Sequence, residues 1–287
     1  MFDCHGAEIL KYLLKHMNLN KEFKIVYINL NLYVSTNQIF TDNKQLDNKH
    51  IDILKDTYIL ILQVIETDRG FLNNDEIIKY CKKDCNIIKI PHYRNSIYEY
   101  KTIEGFTNKW DLILNWKLPN KIKDINNIDE TINIIKNEID ITNNFPYNKE
   151  ELEKHMNFKL NEFEKIDSLS DIKMLDYYKN NYKKYRLFKG RGYPSSLFFY
   201  ELSNRILIKL GYEPNNDFID LYFAENTSEP IMDYWYKFCN FTFDNTYYTT
   251  GHIDITDYEW YYILLLSNDV NIISREINMM YISKIRK

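Results

Sequence analysis

Apolar residues recur at helical spacing from the start of the chain. Ile9, Leu10, Tyr12, Leu13 and Leu14 predict an opening helix over Ala7–Leu14, with Gly6 where the chain turns into it. The period then changes. Phe23–Val34, "FKIVYINLNLYV", is rich in β-branched and aromatic residues and predicts a strand. Tyr58–Glu66, "YILILQVIE", is a continuous apolar run suited to a buried parallel strand. A short helix over Asp75–Lys83 and a strand over Asn86–Pro91 follow, and this βαβ rhythm implies parallel pairing with a crossover helix. Beyond residue 126 the pattern is helical: Asn127–Asp140, Asn148–Ile166, Ser168–Tyr182 and Ser195–Tyr212 each carry an apolar stripe, and one or two closing helices are expected over 256–287.

These elements predict an α/β fold. Its small, mostly parallel sheet is Rossmann-like or SGNH-like in the N-terminal half, and the C-terminal half is largely helical. Residues 1–140 form the α/β core and 141–287 the helical part that completes the site, together as one compact unit. Asn and Pro in Ile139–Asn148 mark that segment as a candidate hinge.

Composition narrows the function classes. The chain has 287 residues and a net charge of −4, so no overall field draws it to nucleic acid or anionic membrane. Seven Gly and six Pro leave little room for linkers, and no internal repeat is found. The longest apolar run, Tyr261–Leu266, is too short to span a bilayer. No secretory signal pattern opens the chain, and Cys4, Cys81, Cys85 and Cys239 do not form a disulfide framework of the secreted type. A cytoplasmic location follows as the expectation.

Candidate chemistry gathers at three places. Cys4, His5 and Gly6 head the opening helix, where unpaired N–H groups and a partial positive charge favour a thiolate, an oxyanion or a phosphate. The alternative is that Asp3 caps the helix and Cys4 packs inside. In parallel sheets ligands bind beyond the carboxyl ends of the strands, which singles out Gln63 and Glu66 after one strand and His92, Tyr93 and Arg94 after the other. There His92 can act as a general base and Arg94 can fork onto a phosphate, unless this is a plain surface loop. In "FKGRGYPSS", Lys189, Arg191 and two glycines precede Tyr193, Pro194 and a helix starting near Ser195. The combination suits a phosphate, although the Walker spacing is absent, and it also reads as a basic loop capped by Ser195 or Ser196. Asp47-x-x-His50 resembles the acid–histidine pair of some hydrolases but sits in a polar stretch. His252 with Asp254 and Asp257 reads more simply with Asp257 as a helix cap. No Cys or His pairs are spaced for zinc, and no metal is expected.

The order of these pieces resembles the WcbI-type polysaccharide biosynthesis domain. A Cys-containing turn opens an apolar helix, the strand "DTYILILQVIE" follows, then an Ile-Pro strand end with a Tyr-rich sequel, and late in the chain "RLF", Pro194-Ser195 and a helix ending in "LGY". The resemblance covers Asp3 to Tyr212. The family's G-N-C-Q turn anchors on Cys4 without its flanking residues, its strand glutamine falls on Gln63, and its N-H-P-S falls on Gly192, Tyr193, Pro194 and Ser195. The family's histidine is thus Tyr193 here, so His5 or His92 has to serve as base.

The resemblance implies an acyl-coenzyme-A-dependent acyltransferase of polysaccharide biosynthesis, moving an acetyl group to a sugar or a nucleotide-linked amino sugar. Coenzyme A or acetyl-CoA would be the co-substrate and a small sugar the partner. Cys4, His5 and His92 are then the catalytic candidates, and Gly6, Gln63, Arg94, Lys189, Arg191, Tyr193 and Ser195 the cofactor-binding ones. An SGNH-like esterase or deacylase, and a non-catalytic coenzyme A- or glycan-binding module, are the alternatives.

Overall fold

The computed structural model describes residues 4–15, 17–26, 28, 46–64, 74–93, 98, 127–143, 149–190, 193–214, 231, 233–243, 247–248 and 254–255. The fold is α/β. The described chain divides into two units, each assembled from three stretches: Met1–Arg94, Asn161–Asn180 and Pro194–Tyr222 in the first, and Asn95–Leu160, Asn181–Tyr193 and Phe223–Lys287 in the second.

The first unit begins with α1 (Cys4–Lys15) and α2 (Met17–Glu22). Ile9, Tyr12 and Leu13 of α1 are buried, as the spacing predicts. Phe23–Val26 and Ile28 form no strand, contrary to the apolar pattern. The Phe23 amide instead bonds the Leu19 carbonyl at 2.9 Å and prolongs the end of α2, and Val26 is 50% exposed. The remainder of the expected strand lies outside the described residues.

Helix α3 (Asn48–Asp56) leads into β1 (Ile59–Gln63), and α4 (Asn74–Ile78) leads back to β2 (Asn86–Ile90). The strands are parallel, in a register running from Ile59 opposite Asn86 to Gln63 opposite Ile90. Leu54, Leu60, Leu62 and Ile77 pack into one core with Ile28 and Leu46, so the continuous apolar run does mark a buried strand. Helix α4 is shorter than expected because i→i+3 bonds at Tyr80 and Cys81 wind its end into a turn.

The outer edge of β2 is covered. Asp171 accepts from the Lys89 amide through Oδ2 at 2.7 Å, and the amides of Asp171 and Ile172 donate to the Lys89 carbonyl at 2.7 and 3.2 Å. This pairing explains a break in what the sequence reads as one helix over Ser168–Tyr182. After α5 (Ile128–Asn143), α6 (Lys149–Ser168) ends, the chain turns across β2, and α7 (Leu175–Asn181) starts afresh. Asp167 fixes the turn by accepting from the Met174 amide at 2.6 Å, while its own carbonyl accepts from Lys173 Nζ at 2.7 Å.

Helix α8 (Ser196–Lys209) completes this unit. Ser195 caps its start and Gly211 its end, where φ is +86° and the amides of Tyr212 and Gly211 close onto Leu207 and Ile208, the Schellman pattern. Tyr12 of α1 donates to the Ser196 carbonyl at 3.1 Å and meets Tyr200 edge-on, packing α1 on α8. Arg205 forks onto Asp176 at 2.6 and 2.9 Å and so ties α8 to α7.

In the second unit the Tyr98 hydroxyl donates to the carbonyls of Tyr182 and Tyr185 and accepts from the Leu187 amide, with Phe188, Phe241 and Phe243 around its ring. Trp235 of α9 (Asp233–Cys239) is fully buried against His155 of α6. Short strands β3 (Phe188–Gly190) and β4 (Tyr193–Pro194) pair, as do β5 (Tyr247–Tyr248) and β6 (Asp254–Ile255). No described helix is long and apolar enough to cross a membrane. The closing helices expected over 256–287, and the hinge segment 144–148, lie outside the described residues; Ile139–Asn143 is the last turn of α5.

Candidate functional site

The parallel register determines what lies at the carboxyl edge. Val64 donates to the Ile90 carbonyl at 2.8 Å, so pairing continues to the last residue of β1 and ends with both chains at one level. Gln63 terminates β1 and is 3% exposed; His92 lies two residues beyond its partner Ile90 and is 9% exposed. Two polar side chains are thus buried on the edge where parallel sheets place ligands. Amide and imidazole can each donate and accept, as orienting a hydroxyl or carbonyl requires.

Tyr93 anchors this edge. Its ring stacks on Phe163 at 3.7 Å and meets Phe198 edge-on at 5.4 Å, and its hydroxyl donates to Asp167 at 2.7 Å. Burial, and then the Asp167 carboxylate, push its pKa well above the ordinary tyrosine value. Tyr93 is therefore a neutral donor at physiological pH and cannot serve as a base. Phe198 belongs to the first turn of α8, so this contact brings the start of that helix to the residue following His92. The cap itself, Ser195, is fully buried, with its hydroxyl accepting from the Phe198 amide at 3.4 Å.

The other sequence candidates distribute as follows. Cys4 and His5 form the first residues of α1, and Gly6 behind them is buried. Lys189 lies in β3 and Tyr193 in β4, within the second unit's stretch Asn181–Tyr193. Arg94, Arg191 and Glu66 lie outside the described residues, as do the side chains of Cys4, His5, Lys189 and Tyr193. Among the other cysteines, burial and then neighbouring Cys85 push Cys81 up to about 11, and burial pushes Cys239 higher still. Neither is a thiolate near neutral pH. No group of three metal-ligating side chains occurs among the described residues.

Two pairs were not credited in the sequence. Asp167 gave no signal, because its partners come from Tyr93 and from a turn that the helical pattern conceals. Asp47 and His50 form a partly buried pair at the start of α3: Oδ1 accepts from the His50 amide at 2.8 Å and lies 2.6 Å from Nδ1. The signal was present, since an Asp just before an apolar-periodic stretch is a helix cap.

No family model matches the chain, and no curated protein does. Among solved structures, one matches along its whole length. The fold is similar to that of WcbI. That structure is of WcbI, a polysaccharide biosynthesis enzyme, as the native protein without a disulfide bond between coenzyme A and one of its cysteines. The alignment covers 100% of this chain and 97% of WcbI, with a TM-score of 0.57 and 12% identity. At that identity the likeness to WcbI is one of fold.

Proposed function

We propose that this chain is a coenzyme-A-dependent acyltransferase acting on a sugar hydroxyl or amine in polysaccharide synthesis. The observation that carries the reading is that Gln63 and His92 are each buried at the carboxyl ends of two parallel strands in a fold similar to that of WcbI. His92 takes the proton from the acceptor as the acceptor attacks the thioester carbonyl. N–H groups at the head of α1, beside Gly6, stabilise the oxyanion of the tetrahedral intermediate. Its collapse breaks the carbon–sulfur bond, and the coenzyme A thiolate leaves and recovers the proton from His92. Gln63 orients the reacting groups. Ser195 holds the start of α8 in place, and we assign Lys189, Arg191 and Arg94 to the phosphates of the donor, with Tyr193 next to Lys189 and Arg191 in sequence.

Cys4 either carries the acyl group as a thioester, with His92 or His5 as its base, or lines the site while transfer is direct. The test is calorimetric titration of coenzyme A and acetyl-CoA into the wild type and a Lys189→Ala/Arg191→Ala variant, followed by turnover with sugar acceptors. Micromolar binding that the variant loses supports the reading. A wild type that binds neither ligand overturns it, and ester cleavage without coenzyme A would replace it with a hydrolase.

A further inference from the structure

Beside α1 lies a cavity of about 570 Å³, within the size range of small-molecule sites. Gly6, Ile9, Leu10 and Leu13 line it, and their spacing places them on one face of the helix. From Gly6 to Leu13 that wall runs about 10 Å along the axis. β1 contributes Ile59, Leu60 and Ile61, of which Ile59 and Ile61 lie on the same pleat face as Gln63. The end of α8 supplies Leu210, and the Tyr212 hydroxyl pins that end to α2 by donating to Glu22 at 2.5 Å. Among the described lining residues the charged ones, Glu22, Lys24 and Asp56, are all exposed and mark the rim, and most of the rest of the wall is hydrocarbon.

Apolar wall that faces water gains from being covered, by about 25 cal/mol per Å² removed from water, so a hydrocarbon occupant is favoured here. Gly6 belongs both to the head of α1, where the oxyanion would form, and to the cavity wall.

We infer that the cavity holds the hydrocarbon tail of the transferred acyl group, so that the donor is a medium-chain acyl thioester rather than acetyl-CoA. This rests on the acyltransferase reading above. The carbonyl lies at the head of α1 and the tail runs along Gly6, Ile9 and Leu13.

Two titrations separate this inference from the reading beneath it. The first uses primary alcohols from hexanol to dodecanol, which carry the tail without coenzyme A; the second uses coenzyme A and its acetyl, hexanoyl, octanoyl and decanoyl thioesters. Each methylene that enters the cavity should tighten binding about fourfold in both series. Val26, exposed at the cavity mouth, tolerates bulk without disturbing the core, and Val26→Trp should flatten both series. Thioesters that bind equally well whatever their length, with alcohols that do not bind, overturn the inference and leave the acyltransferase reading standing. Alcohols that bind while no coenzyme A species does overturn both. A series as steep in Val26→Trp as in the wild type also overturns the placement of the tail.

Discussion

Tyr93 and Asp167, 74 residues apart, share a buried hydrogen bond of 2.7 Å immediately beside His92. The bond joins the end of β2 to the end of α6 and holds the loop that carries the candidate base. Tyr93→Phe keeps the stacked ring and removes only the donor, leaving a buried carboxylate oxygen with one partner fewer. The variant should lose about 1–3 kcal/mol of stability in urea denaturation, and an unchanged midpoint would refute the role.

The same residue sets an alkaline limit. The raised pKa means that above pH ~10 the unfolded chain releases a proton that the folded chain keeps. This contribution is therefore complete below that pH and is lost as pH rises toward the folded value. The fall should be shallower in Tyr93→Phe, as a pH series of denaturation midpoints will show.

Asp47 makes the opposite prediction. Burial raises its pKa, but the hydrogen bonds from the His50 amide and ring outweigh that and hold it below the ordinary carboxylate value. Its contribution is present above about pH 4 and is lost as pH falls through the folded pKa. Asp47→Ala should cost about 0.5–2 kcal/mol at neutral pH, whereas Asp47→Asn should cap nearly as well and lose this part of the acid sensitivity. If the alanine variant melts with the wild type, the cap does not support α3.

What the sequence made legible follows from how local each determinant is. β1 is readable from its unbroken apolar run, Tyr58–Leu62, and β2 from the β-branched residues Ile87, Ile88 and Ile90 set between Asn86 and Pro91. Helix α8 is readable because Pro194 and Ser195 announce its start and Gly211 its end. The late start of α7 is not: a break after Ile166 is readable, but Leu169–Met174 keeps a helical apolar stripe while the amides of Asp171 and Ile172 are claimed by Lys89, far away in sequence. Of the expected strand Phe23–Val34, the described residues Phe23–Val26 are neither strand nor helix, and only the Phe23 amide closes back onto α2. For the candidate site, the positions of Gln63 and His92 at the carboxyl ends of β1 and β2 were legible from the apolar runs that precede them. Asp167 was not, since nothing local distinguishes it from the solvated acids of α6. Which stretches return to which unit was not legible either, because interleaved stretches share no sequence signal.

Gly211 offers a test free of packing effects. Its φ of +86° is a conformation that L side chains resist, yet no atom lies within 4 Å of where a Cβ would stand. Gly211→Ala should therefore cost about 1–2 kcal/mol by backbone strain alone, and Gly211→Asn less. A neutral alanine variant would mean that the Schellman turn relaxes without penalty.

The decisive chemical prediction concerns His92 and Cys4 together. If His92 is the general base, His92→Ala should retain coenzyme A binding but lower kcat by about 10²–10⁴. Loss of binding instead would make His92 a ligand-holding residue. Cys4 then separates the two routes. With an acyl-enzyme, enzyme and donor mixed without acceptor release one equivalent of coenzyme A in a burst, which Cys4→Ser slows or abolishes. With direct transfer, no coenzyme A appears until the sugar is added, and Cys4→Ser turns over at close to the wild-type rate.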